Sequence, residues 1–290
     1  MNKISRQYRF GHTTIEIRMP EIVTVPENMK IFEVQSNNTE KIYDLEVTSD
    51  LRPYVQEFQT RYPNAQYIRR KNMQILYTGE AECRLIHIEG VPYPYAVHIE
   101  DGSSTVRAWI SEEILPAVHI DTIFGSILGM EKLMLQYNQM ILHSAYLCHN
   151  GKAILFSAPS ETGKSTQAGL WEKYRGAKQI NGDKSLLLKE DSIWHAYGWP
   201  VCGSSEICHN ESYPIQAIVM LFQAKENTIR RLNPSEAIKK LITQITINMW
   251  NSSFQLKALD LIQDLVMDIP VYELGCNISE DAVACLEKAL

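Results

Sequence analysis

The stretch from Ala153 to Tyr174, AILFSAPSETGKSTQAGLWEKY, joins an apolar run to a helical pattern through a short turn. Ala153–Ala158 reads as a buried strand, and the tetrad Gly163-Lys164-Ser165-Thr166 opens the helix. The first turn of a helix leaves N–H groups unpaired and carries partial positive charge, so this order of elements forms a cradle for phosphate. In such a loop the Lys164 ammonium neutralises β/γ charge and the Ser165 hydroxyl is available to Mg²⁺. The candidate nucleotide contacts are therefore Ala158, Pro159, Ser160, Glu161, Thr162, Gly163, Lys164, Ser165 and Thr166, with ATP or GTP as the ligand. The usual pattern is Gly-x4-Gly-Lys-[Ser/Thr], and here Ala158 fills its first position.

Composition limits the alternatives. At 290 residues and 45% hydrophobic, the chain is long enough to bury one large core or two. The formal net charge is −6, and the basic clusters Arg69-Arg70-Lys71 and Arg230-Arg231 are too short for a nucleic-acid stripe, so no nucleic acid is expected as partner. No continuous apolar run is long enough to span a membrane. Six cysteines without C-x-x-C spacing, and an opening MNKISRQYRFGH without a secretory pattern, point to the reducing cytoplasm. Cys202, Cys208 and His209 lack a fourth ligand at zinc spacing.

Outward from the loop, residues 1–116 read as a β-rich N-terminal domain and residues 117–290 as an α/β domain. Short strands are expected at Thr13–Arg18, Lys41–Val47, Gln74–Tyr77, Arg84–Ile88, Tyr95–Ile99 and Thr105–Trp109, with a hairpin turn at Glu100–Ser103. Apolar residues at helical spacing predict one connector helix from Asp121 to Tyr137. A strand over Met140–Cys148 then turns through Asn150-Gly151 into the phosphate-loop strand. Beyond the loop, strands are expected at Lys178–Ile180, Ser185–Lys189, Ile193–Tyr197, Ile215–Phe222, Thr228–Arg230 and Pro270–Leu274. Helices are expected from Asn233-Pro234 to about Met249, over Phe254–Met267, and after a Ser279 cap.

Phosphoryl transfer to a hydroxyl needs an acid that holds metal, a base near the acceptor and cationic support. Asp183, at a strand-to-turn junction in Asn181-Gly182-Asp183, can serve as base or as metal acid. In isolation it is equally a turn residue. His143 lies in the strand before the phosphate-loop strand, where it can end near the γ-phosphate, although a lone histidine on an apolar strand is commonly a core residue. Glu206 is a candidate second metal carboxylate, alongside Ser165 and Asp183. Arg230 and Arg231 are candidate phosphate contacts.

Leu142-His143-Ser144, the loop Ala158–Thr166 and Ile180-Asn-Gly-Asp183-Lys184 together resemble the catalytic domain of HPr kinase/phosphorylase, whose fold is related to ATP-dependent phosphoenolpyruvate carboxykinase. LFSAPSxTGKST, Tyr197-Gly-x-Pro and Arg231-Leu-x-Pro-x-Glu-Ala237 resemble bacterial HPr-kinase-like proteins, some of which phosphorylate a serine in a precursor peptide. The resemblance spans about residues 140–290. It implies a P-loop domain of mixed sheet and helices and an ATP- and Mg²⁺-dependent serine kinase acting on a protein or peptide. It also implies roles: Lys164 and Ser165 at phosphate and metal, Asp183 as base or metal acid, His143 as its helper. Where HPr kinase has adjacent aspartates, this chain has Gly182 and Asp183. The alternatives are a nucleotide-binding regulatory module without turnover, a kinase of a small-molecule hydroxyl, and a carboxykinase-like enzyme.

Overall fold

The structure is a computed structural model that describes residues 2–290. Packing divides it into two compact units, Met1–Met130 and Glu131–Leu290. Each carries its own mixed sheet, so the protein is of the α/β class with several helices. Among the described residues no helix is long and apolar enough to cross a membrane.

The first unit holds strands β1 (Lys3–Phe10), β2 (Thr13–Pro20), β3 (Glu33–Val34), β4 (Lys41–Thr48), β5 (Gln66–Arg70), β6 (Met73–Tyr77), β7 (Glu82–His87), β8 (Pro94–Glu100) and β9 (Thr105–Ser111). They form one nine-stranded sheet in the order β3-β1-β2-β4-β9-β8-β7-β6-β5, with parallel pairs, among the described residues, only at β2–β4 and β4–β9. Its helices are α1 (Glu27–Lys30), α2 (Arg52–Arg61) and α3 (Asp121–Leu128). Because side chains alternate across a strand, β7 and β8 send Cys83, Val97 and Ile99 into a core shared with Phe58 of α2 and Trp109. Tyr54 stacks on Trp109 with ring centroids 4.2 Å apart. The residues between them in sequence, Glu82, Arg84, His98 and Glu100, are buried as well.

The connector helix expected over Asp121–Tyr137 is two helices, α3 and α4 (Glu131–Gln136). Gly129 stops the first in the left-handed region at φ 55°, and a side chain there would meet the Arg84 guanidinium, with Nη1 2.6 Å from the added carbon.

The second unit contains β10 (Met140–His149), β11 (Lys152–Ser157), α5 (Lys164–Arg175), β12 (Lys178–Asn181), β13 (Lys184–Glu190), β14 (Ile193–Tyr197), β15 (Ser212–Gln223), β16 (Thr228–Arg231), α6 (Pro234–Leu241), α7 (Ser252–Asp268), β17 (Val271–Cys276) and α8 (Glu280–Glu287). At its centre β11, β15 and β17 run parallel. Ile154 and Phe156 of β11, with Val219 and Leu221 of β15, face a core that includes Trp171 of α5 and Leu286 of α8. The intervening Leu155, Ile218 and Met220 face Leu241 of α6 and Ile262 and Leu265 of α7. Both faces are covered, which is why these strands read as continuous apolar runs without alternation.

Asn150 and Gly151, at φ 51° and 72°, close the β10–β11 hairpin. The helix expected to reach Met249 ends at Leu241. Beyond it Gln244 O accepts the His143 N–H and Ile245 bridges Leu142, so the chain returns to the sheet edge. Ser279 precedes α8 as expected, but its hydroxyl bonds Asn277 Oδ1 at 2.5 Å and caps no helical N–H.

Candidate functional site

Strand β10 changes partners at His143. Residues up to His143 pair with β13, His143 lying opposite Lys184, and residues from Ser144 onward pair with β11 and β12. Asp183 sits between β12 and β13 at the same fork, and its carbonyl accepts the Ser144 N–H at 2.9 Å. The fork is pinned by hydroxyls: Ser144 and Ser185 share a bond of 2.7 Å, and Ser157 donates to His143 O at 2.8 Å.

Asn181 builds the turn. Its buried Oδ1 accepts the N–H groups of Asp183 and Lys184, each at 2.9 Å, and its Nδ2 donates to the carbonyls of Trp199 and Val201. This is an Asx turn in which all the amide's strong bonds are used, so it fixes where Asp183 points. Asp183 Oδ1 lies 3.3 Å from His143 Nε2, and both side chains keep about a quarter of their surface exposed, 28% and 25%. Burial opposes ionisation of Asp183, but the His143 hydrogen bond and the charges of Lys184, His143 and Lys164 outweigh it and hold the carboxyl below its ordinary value.

The loop residues 158–163 follow β11 directly. Gly163, at φ 111°, leads into α5, while the left-handed residue within the preceding turn is Glu161 at φ 65°. Ala158 has no positive φ, so its methyl costs the loop nothing at the position where glycine is usual. Lys164 is buried and folds back, Nζ donating to the carbonyls of Ala158 (3.0 Å) and Pro159 (3.3 Å). Burial lowers its pKa, against the opposing charge of Asp183. Ser165 Oγ reaches Gly182 O at 3.4 Å, which joins the first turn of α5 to the Asn-Gly-Asp turn. His143, Lys164, Ser165 and Asp183 therefore form one cluster.

Two expected members do not join it. Glu206 is exposed after the turn Gly203–Ser205. Among the described residues the group of His, Cys, Asp or Glu donors within 4.8 Å of one another is Glu82, His98 and Glu100, in the other unit. Arg231 is exposed and pairs with Tyr272 near the start of β17, whereas the loop meets the opposite ends of the parallel strands. Arg230 is taken by Glu236 and Glu273, at 2.9 and 2.8 Å.

Gly182 explains the lone acid. A Cβ on it would lie 1.9 Å from Ser205 Oγ and 2.3 Å from Ser205 Cβ, so no side chain fits in this packing. A cavity of about 510 Å³ opens beside the loop, between Glu161, Thr166 and Gln167 on one side and Gln223, Cys276 and Ile278 on the other. Gln167 is buried there; its Nε2 donates to Asn277 O at 3.0 Å, and its Oε1 has no partner. Sequence reasoning missed Gln167 because its partner is 110 positions away. The Asx-turn signal of Asn-Gly-Asp could have found Asn181.

A strand–loop–helix junction on a sheet flanked by helices, with a histidine–carboxylate pair beside it, defines an α/β protein. The family described as SynChlorMet cassette protein ScmC matches residues 116–290, more than half of the chain, and the chain belongs to that family. Among solved structures, the HPr(Ser) kinase/phosphatase from Coxiella burnetii is similar over 51% of this chain and 95% of that one, at 10% identity and a TM-score of 0.30. No curated protein matches the sequence.

Proposed function

We propose that the protein is an HPr-kinase-like phosphotransferase that moves the γ-phosphoryl group of ATP to a hydroxyl, the acceptor being a Ser or Thr of a protein or peptide. The observation that carries this reading is the direct link between loop and turn: Ser165 meets Gly182 O, and the adjacent Asp183 is oriented by His143 at 3.3 Å. Lys164 and the first amides of α5 bind the phosphates. The 510 Å³ cavity, with its apolar Ile278 and the spare acceptor of Gln167, suits the nucleoside. The Ser165 hydroxyl and the Asp183 carboxylate are the hard oxygen donors that Mg²⁺ takes, and the ion when bound supplies charge neutralisation at the phosphates.

Asp183 accepts the proton of the acceptor hydroxyl as its oxygen bonds the γ-phosphorus. The bond from that phosphorus to the β–γ bridging oxygen breaks, and ADP leaves. His143 holds Asp183 Oδ1, so Oδ2 faces the acceptor in the base role, and in the alternative role the same oxygen would hold Mg²⁺ with Ser165. Incubating the protein with γ-labelled ATP, Mg²⁺ and a set of Ser/Thr peptides should label an acceptor. Asp183→Asn should lower transfer by about 10²–10⁴-fold, and Lys164→Ala should abolish nucleotide binding. Undiminished transfer in both variants refutes the assignment. The exclusion of a second carboxylate at Gly182 favours one other reading, a nucleotide-binding regulatory module. Tight ATP binding without transfer to any acceptor would select it.

A further inference from the structure

In the first unit, β5 ends the nine-stranded sheet, and the opposite edge is the two-residue β3. β5 is longer, and Gln66, Tyr67, Arg69 and Arg70 on it are exposed, Tyr67 by 58%. Its backbone pairs with β6 on one side; among the described residues no other backbone partner reaches Gln66–Arg70. At the hairpin end, Arg69, Arg70, Lys71 and His87 line a cavity of about 280 Å³, together with Ile88 and Val91. Ile88, Val91 and the nearby Tyr93 expose 39%, 44% and 75% of their surface. His87 Nε2 is buried without a hydrogen-bond partner. The acid facing this cluster is Glu89, 2.9 Å from Lys71, which leaves a local excess of positive charge in a chain of net charge −6.

An open strand edge recruits another strand unless something blunts it. Basic residues repel a second copy of the same edge and attract an acidic strand, so the charges select among partners as well as protect. Exposed apolar side chains beside them supply contacts that a purely electrostatic surface lacks. Three cations without a continuing stripe are a poor footprint for nucleic acid, whose phosphates also leave the amide edge unused. We propose that the free edge of Gln66–Arg70 docks an extended acidic polypeptide segment as a tenth strand, its carboxylates over Arg69, Arg70 and Lys71 and its apolar residues against Ile88 and Val91. This goes beyond the phosphotransferase reading and stands without it.

The test is fluorescence anisotropy of the full-length protein with a labelled peptide of alternating Val and Glu, about ten residues long. The expected result is saturable binding that weakens about tenfold when Arg69 and Arg70 are both changed to Glu, and by a similar factor when alternate peptide amides are N-methylated. Since the N-methyl peptide leaves the protein unchanged, loss with it reads the ladder even if the charge-reversed variant folds poorly. Equal binding of the N-methylated peptide overturns the proposal in favour of plain charge attraction, and absent saturation overturns it outright. So does tighter binding of an oligothymidylate. Self-association of the protein that the Arg69→Glu/Arg70→Glu variant abolishes also overturns it, by making the edge a contact between copies.

Discussion

The two units each assemble a histidine, carboxylates and cations, with opposite results. In the first, Glu82, Arg84, His98 and Glu100 share one face of β7 and β8, with Glu82 opposite Glu100 and Arg84 opposite His98. None of them exposes more than 6%, and Lys41, beside Glu100, exposes 9%. Two carboxylates face two cations: Arg84 Nη2 lies 2.5 Å from Glu82, and Lys41 Nζ 3.2 Å from Glu100. A divalent ion added there would leave net positive charge in a dry site, so the set reads as an ion-pair network that holds the sheet. In the second unit His143 and Asp183 stay partly open to solvent, with Lys164 and Lys184 near enough to act on the carboxyl. The same side-chain types are sealed and balanced in one unit and left accessible beside a loop in the other.

The contrast predicts its largest stability effect in the sealed cluster. Arg84→Met strands Glu82 in the interior and should cost about 3–5 kcal/mol in urea unfolding. The double variant Glu82→Gln/Arg84→Met should recover much of that, because it removes the uncompensated charge along with its partner. Asp183→Asn, by contrast, should cost far less stability while lowering the proposed transfer. If Arg84→Met costs no more than Asp183→Asn, the division between sealed and open clusters is wrong.

Next in size is Gly182. An alanine there meets Ser205, so Gly182→Ala should cost about 1–3 kcal/mol through overpacking. Adding Ser205→Gly should return most of it, since both close atoms belong to that side chain. On this background Gly182→Asp asks whether a second carboxylate raises transfer. Failure of Ser205→Gly to rescue Gly182→Ala would show that the turn itself demands glycine.

These effects also mark where the sequence was readable. Strand β11, helix α5 and the Asn150-Gly151 hairpin follow from local pattern, and Ile193–Tyr197 has the expected bounds. Helix α2 was missed because Phe58 alone of its ten residues is buried, which leaves no apolar stripe to read. β5 was missed because an exposed edge strand shows no alternation. Lys164 and Ser165 open a helix, and Asp183 lies in the turn between two strands, so their local placement follows from pattern; that His143 comes beside Asp183 depends on strand pairing, which local pattern does not show. That Arg231 sits at the end of the sheet away from the loop is not readable from sequence order, and Ser205 against Gly182 is a tertiary contact with no local signature.

Acid separates the clusters by pH window. Burial, reinforced by Arg84, lowers the His98 pKa below its ordinary 6.5, so the unfolded chain takes up a proton there before the native one does. Stability should therefore fall as pH drops below 6.5, by at most about 1.4 kcal/mol per pH unit from this group. Asp183, also lowered, contributes stability that is intact above 3.8 and is lost as pH falls through its native value. His98→Gln should flatten the upper window in urea titrations and Asp183→Asn only the lower one. A flat profile between pH 7 and 5 in the parent protein would contradict the burial of His98 as a neutral ring.

The smallest effect concerns backbone strain. Beside the sealed cluster the left-handed position is filled by Gly129, whereas in the loop it is filled by Glu161 at φ 65°. A left-handed side chain costs about 1 kcal/mol, and Glu161→Gly returns part of this while adding freedom to the unfolded chain. The two nearly cancel, so stability should hardly change. Nucleotide binding should change more, because an exposed carboxylate lining the cavity repels phosphate. Glu161→Gly should tighten ATP binding by about two- to fivefold at low salt, and the gain should shrink as salt screens the charge. Calorimetric titration with ATP at two ionic strengths reads both. An affinity indifferent to Glu161 would mean that its carboxylate points away from the phosphates, and the loop would then tolerate the strain without an electrostatic cost.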